Sequence, residues 1–217
     1  MARPANSLGA RQGGFTVREA AWRTGLAPHR VRYYGGQWGR DGYGRFVTPE
    51  IADAGQGTAK LFSGANLVQL RVAFLLRESG LPEDETRHLF EAKGVRGEDW
   101  WDPEHPLGSD ALLLVRGEPE SPATERWHLC TTDLRLKRPK SWAAAVVRAA
   151  GTECELVHVR LAMGWQPRLP RDRRDCWILE GAREAWVVNI GQIRRTVGAG
   201  TSDLITPPPR RGLRSGR

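Results

Sequence analysis

The chain has 217 residues, 40% of them hydrophobic and 27% charged, with a formal net charge of +8. That length holds one large domain or two small ones, and the apolar content excludes a chain disordered throughout. The excess of cations points to an anionic partner, nucleic acid first, and no run approaches the roughly 18 apolar residues that a membrane span needs.

The charge is unevenly spread. Residues 1–62 carry nine Lys/Arg against four Asp/Glu, residues 63–110 carry five against ten, and residues 111–217 carry nineteen against eleven. The cations are arginine apart from Lys60, Lys93, Lys137 and Lys140, a bias that a GC-rich genome produces without selection for function. The three cysteines, Cys130, Cys154 and Cys176, are odd in number and follow no framework spacing. They predict reduced thiols in a cytoplasmic protein.

Residues 1–14 are polar and Gly-rich. They predict a disordered tail and lack the apolar segment of a secretory leader. Thr16 and Glu19 have the spacing of a capping box. A helix follows with Val17, Ala20 and Ala21 as its buried stripe, and Gly25 ends it in a left-handed turn. Leu26 fits as the core plug of that turn. Pro28 suits the first position of a second helix, which runs to Tyr34 with Val31 inward. Two short helices around a Gly-containing turn make a helix-turn-helix.

The next segment, about 35–63, is Gly-rich and without helical period. "GRFVT" and "AKLFS" are the predicted arms of a β-hairpin there. From Gly64 the period is helical again, with Leu67, Leu70, Val72, Phe74, Leu75 and Leu76 on a wide apolar face and Gly80 as the stop. Pro82 opens a further helix that carries Leu89 and Phe90 inward. Residues 95–110 read as a linker.

Beyond the linker the period becomes that of strands. "ALLLVRG" (111–117) and "RWHLCTTD" (126–133) predict a hairpin. "SWAAAVVRAAG" (141–151) predicts a capped helix and "ECELVHVRLA" (153–162) a strand. "CWILEG" and "EAWVVNI" predict a second hairpin, and "GQIRRTV" a last helix. Residues 206–217, "TPPPRRGLRSGR" with Ile205 just before it, predict a basic disordered tail. The fold class is therefore α+β: an N-terminal helical domain at 15–94 and a small α+β domain at 111–205.

"FTVREAAWRTGLAPHRVRYY", followed by "KLFSGANLVQLRVAFLLRESGLPEDETRHLFEA", resembles the DNA-binding domain of the MerR family of bacterial regulators. The resemblance covers about residues 15–93 and implies a winged helix-turn-helix that binds double-stranded DNA. It places Arg32 and Tyr33 at the family's phosphate-contacting Arg-Tyr pair, and Arg18 at a backbone contact on the first helix. It places His29 and Arg30 at the exposed start of the recognition helix, where side chains reach base edges. Lys60 stands at the wing cation, and Thr16 opens a helix whose N–H groups suit a phosphate. The residue chemistry agrees with these placements, since guanidinium forks and a tyrosine hydroxyl are phosphate donors.

The chain departs from the family pattern at four points. Ala27 replaces the usual Ser cap, and Phe62 replaces the wing tyrosine. The segment before the wing is longer than usual, which makes Arg40 and Arg45 alternative wing cations. This expanded wing resembles the MerR-like branch found in VapB-type antitoxins. Finally, no heptads follow Gly94, so a homodimer would need a surface other than the family's coiled coil, with the later strands as the candidates.

The C-terminal half offers less. His128 and Cys130 are two apart on one predicted strand, and Cys154 and His158 lie on another. With Cys176 they are weak candidates for a soft metal site, but the spacings match no common zinc module. The nine tryptophans fit core and interface anchors better than a stacking site. No GxSxG, P-loop, dinucleotide fingerprint or His-Glu zinc helix is present, so neither an enzyme nor a cofactor is expected. The first reading is a cytoplasmic, dimeric DNA-binding transcriptional regulator, with a small-molecule effector as a partner of the second domain. The alternative is an antitoxin that binds its operator and holds a partner toxin. A third reading is an enzyme that carries a DNA-binding module.

Overall fold

The computed structural model describes residues 14–35, 46–48, 61–91, 111–117, 127–131, 141–162, 179 and 182–199. Both tails, the linker at 95–110 and most of the segment between Gly35 and Leu61 lie outside the described residues. The described elements are helices α1 (Val17–Thr24), α2 (Pro28–Tyr34), α3 (Gly64–Glu78) and α4 (Glu83–Glu91). They are followed by strands β1 (Ala111–Gly117) and β2 (Trp127–Thr131), helix α5 (Trp142–Ala150), strands β3 (Leu156–Arg160) and β4 (Glu184–Asn189), and helix α6 (Ile190–Ala199). The mix of helices and one antiparallel sheet is an α+β arrangement. No described helix is long and apolar enough to cross a membrane.

The helix boundaries follow local chemistry. Ser63 caps α3, with its side chain accepting from Asn66 and the Asn66 side chain accepting from Ser63 N–H. Ser141 caps α5 at the Ala144 N–H, 3.0 Å away. Past α3, Gly80 turns the chain at φ +94°, a left-handed value that glycine adopts without a Cβ clash. β4 runs straight into α6 through Asn189. Its side chain accepts from Gln192 N–H at 3.0 Å and donates to the Thr152 carbonyl at 3.1 Å, and its own N–H goes to the Glu155 carbonyl at 2.8 Å. A fully buried amide is thus satisfied on both sides.

The sheet order is β2-β1-β4-β3, antiparallel throughout. β1 and β2 form the expected first hairpin, with Leu113 opposite Leu129. The expected second hairpin is corrected. β4 pairs along one edge with β1 (Leu114 opposite Val187) and along the other with β3 (His158 opposite Trp186). Both edges are occupied, so "CWILEG" has no edge of β4 to join; of that stretch only Leu179 is described, buried beside α5 in the core.

Alternation along β4 divides the core. Ala185 and Val187 join Leu112, Leu179 and the apolar face of α5 (Trp142, Ala143, Ala144, Val147). Trp186 and Val188 face the other way, into a larger core built from α1 to α4 and α6. Helices thus cover both faces of the sheet, and the buried residues of α1 to α4 share one core with Val188, Ile190, Ile193 and Val197. Trp186 is 2% exposed, stacks on the His158 ring with centroids 4.7 Å apart, and donates from Nε1 to the Ser79 carbonyl at 3.4 Å. Arg23 adds a tie from α1 to the end of α6, donating to the carbonyls of Val197 and Gly198.

The predicted hairpin arms behave differently where they are described. Phe62 pairs with Phe15, each N–H donating to the other's carbonyl at 2.8 Å. Phe46 and Val47 both donate to the Tyr34 carbonyl at 3.1 Å. These backbone groups are therefore committed to the helical core, and the remaining residues of the two arms lie outside the described ones.

Candidate nucleic-acid interface

The region is assembled by α1, its turn and α2. The Thr16 side chain accepts from the Glu19 N–H at 3.3 Å, and the Glu19 carboxylate accepts from the Thr16 N–H at 3.0 Å and from its hydroxyl at 3.1 Å. The expected box is formed. It also seats a negative charge at the helix start, so a phosphate there would have to displace Glu19. Gly25 closes α1 at φ 69°, Leu26 is buried, and Ala27 stands at the cap of α2 without a side-chain hydrogen bond.

Helix α2 sorts its residues by face. Val31 and Tyr34 are buried, while His29, Arg32 and Tyr33 are exposed. Arg18 is exposed on α1. His29 and Arg32 form no hydrogen bond or ion pair with another described residue. The side chain of Tyr34 packs edge-on against Phe46, with centroids 5.0 Å apart. The wing cations Arg40, Arg45 and Lys60 lie outside the described residues.

Two expected contact residues have acidic partners. The Arg30 guanidinium is paired with the Glu78 carboxylate at the end of α3 and lies 5.2 Å from the centroid of the Phe74 ring. The Tyr33 hydroxyl donates to Glu83 Oε2 at 3.0 Å. His29, Arg30, Tyr33, Tyr34, Arg77, Glu78 and Glu83 line an open cleft of about 450 Å³. The hydrogen bond to Glu78 raises the Arg30 pKa. Burial pushes the Tyr34 phenol above its ordinary value, against the pull of the Arg30 and Arg77 charges.

Sequence reasoning missed Phe74, Glu78 and Glu83 as members of this region. The signal present was the acid surplus of residues 63–110, which nothing in the sequence directed toward α2.

Of the metal candidates, only Cys154 and His158 have described side chains. His128 on β2 shares a row with Leu114, Val187 and Val157, whereas His158 on β3 shares the next row with Trp186 and Val115. Three interstrand steps also separate β2 from β3, about 14 Å at the usual spacing. His158 is instead bonded to Glu184 at 2.9 Å, and the Cys154 thiol to the Ala150 carbonyl at 3.3 Å. Cys176 lies outside the described residues, and among those described no cluster of three metal-ligating side chains occurs.

No protein-family model and no curated protein matches the chain.

Proposed function

We propose that this chain is a sequence-specific DNA-binding transcriptional regulator of MerR-like type, acting in the cytoplasm as a dimer. In this reading α1 and α2 form the helix-turn-helix, α2 enters the major groove, and the segment between Gly35 and Leu61 supplies the wing. Arg32 and Tyr33 meet the phosphate backbone, and His29 and Arg30 meet base edges. The elements around the sheet supply dimerisation or effector binding.

The observation that carries the reading is the sorting of α2. Val31 and Tyr34 anchor the helix in the core while His29, Arg32 and Tyr33 are exposed, as is Arg18 on α1. An outward imidazole, guanidinium and phenol on a helix preceded by a tight Gly turn is what contact with a polyanion needs.

The test is selection of bound sequences from a random duplex pool near physiological salt, with wild type and Arg32→Ala in parallel. The expected result is a motif enriched by wild type, with weaker binding to all duplexes by the variant. A two-fold symmetric motif would support a dimer. No enrichment and no difference between the proteins would overturn the reading and direct attention to a protein partner for this face.

A further inference from the structure

Arg30 is held on several sides. Its guanidinium lies over the Phe74 ring, is paired with Glu78, and lines the same cleft as Tyr34. The Arg30 side chain still keeps 40% of its exposure. Such an arrangement fixes the plane of the fork before any ligand arrives. It also sets a carboxylate where a phosphate would otherwise be drawn to the cation.

We propose that Glu78 is a positioning residue for Arg30, and that the base edge Arg30 reads is that of guanine. The inference rests on the DNA-binding reading above. Arg30 is the third residue of α2, in the N-terminal turn that a recognition helix presents to bases. Glu78 and the neighbouring Tyr34 phenol engage part of a guanidinium that carries five N–H donors, and its 40% exposed side chain leaves donors for a ligand. Guanine presents two acceptors in the major groove, N7 and O6, which a fork satisfies together. Adenine presents a donor beside N7, which would face an N–H of the fork.

The partners divide the labour along α2. Arg30 is neutralised by Glu78, so it gains little from a phosphate and more from a base edge. Arg32, two residues on, is exposed and makes no ion pair among the described residues, which suits the backbone. Tyr33 resembles Arg30 in having an acidic partner, Glu83, so its hydroxyl is also held in place.

The experiment compares wild type, Arg30→Lys and Glu78→Ala in the same pool selection, with thermal melts to show that each variant is folded. The wild-type motif should contain a guanine whose preference falls about fivefold or more in both variants at that one position. A purely structural role for Glu78 would not single out one base. If Glu78→Ala leaves every position unchanged, Glu78 does not position Arg30; if it tightens binding to all sequences alike, Glu78 is a mask. The inference then falls while the DNA-binding reading stands. If the wild-type motif has no guanine that depends on Arg30, the choice of base is wrong. If wild type selects no motif, the DNA-binding reading itself fails, and this inference with it.

Discussion

Arg71 of α3 donates from Nε and Nη2 to the same oxygen of Glu155, at 2.9 and 2.7 Å, while its Nη1 reaches the Thr24 carbonyl at 3.0 Å. One guanidinium therefore ties the end of α1, the middle of α3 and the approach to β3. The two side chains are 20% and 13% exposed. Removing one partner strands the other in a poorly solvated place. Arg71→Met should cost about 2–4 kcal/mol of unfolding free energy. A double-mutant cycle with Glu155→Gln, read by urea denaturation, should show strong coupling. Additive effects would mean that the pair adds nothing beyond packing.

Gly35 sits against the ring of Phe62. A Cβ at Gly35 would lie 2.6 Å from Phe62 Cε1 and 2.7 Å from Cζ. Its φ of −90° is ordinary for alanine, so the penalty would be steric. Gly35→Ala is expected to cost about 1–3 kcal/mol, the range for overpacking a core. Phe62→Leu in the same background should recover part of the loss. If Gly35→Ala melts like wild type, the ring has room to shift and the contact is not a constraint.

Ala27 is an avoidable weakness. It occupies the cap of α2 in extended geometry, φ −66° and ψ 144°, but offers no acceptor to the helix. Ala27→Ser supplies one in a backbone already suited to it. A gain of about 1 kcal/mol is expected, or roughly 2–4 °C in melting temperature for a chain of this size. An unchanged melting temperature would indicate that another group already satisfies the first N–H groups of α2.

Tyr34 makes stability depend on alkaline pH. Burial raises its pKa above the ordinary 10.0, so the folded protein holds the phenolic proton more tightly than the unfolded chain. That contribution is complete below about pH 10 and is lost as pH rises through the folded value. Wild type should therefore lose more melting temperature between pH 8 and pH 11 than Tyr34→Phe. Parallel losses in the two proteins would assign the effect to other groups.

Local order was legible wherever one stretch of chain contained its own instruction. The box at Thr16 and Glu19, the Gly25 turn, Pro28 at the start of α2, the inward Val31 and the Ser141 cap all act within four residues, and each stands as the pattern implies. The first hairpin is of the same kind, since its two strands are neighbours in sequence. In the candidate interface, the family resemblance set His29 at the exposed start of the helix and Arg32 and Tyr33 toward a phosphate backbone, and all three are exposed.

What tertiary structure decided were the pairings between distant segments. The sequence by itself shows that residues 184–189 form an apolar strand, but not that β1 and β3 take both its edges. An extended strand offers identical backbone donors to any partner, and the choice depends on which side chains the whole core can bury. The same holds for Phe62 with Phe15, and for Arg30 with Glu78, 48 residues apart. Arginine and glutamate are exposed residue types with many possible neighbours. Only the packing of α2 against α3 brings these two together, and with them the acidic side of a face that the sequence alone presents as basic.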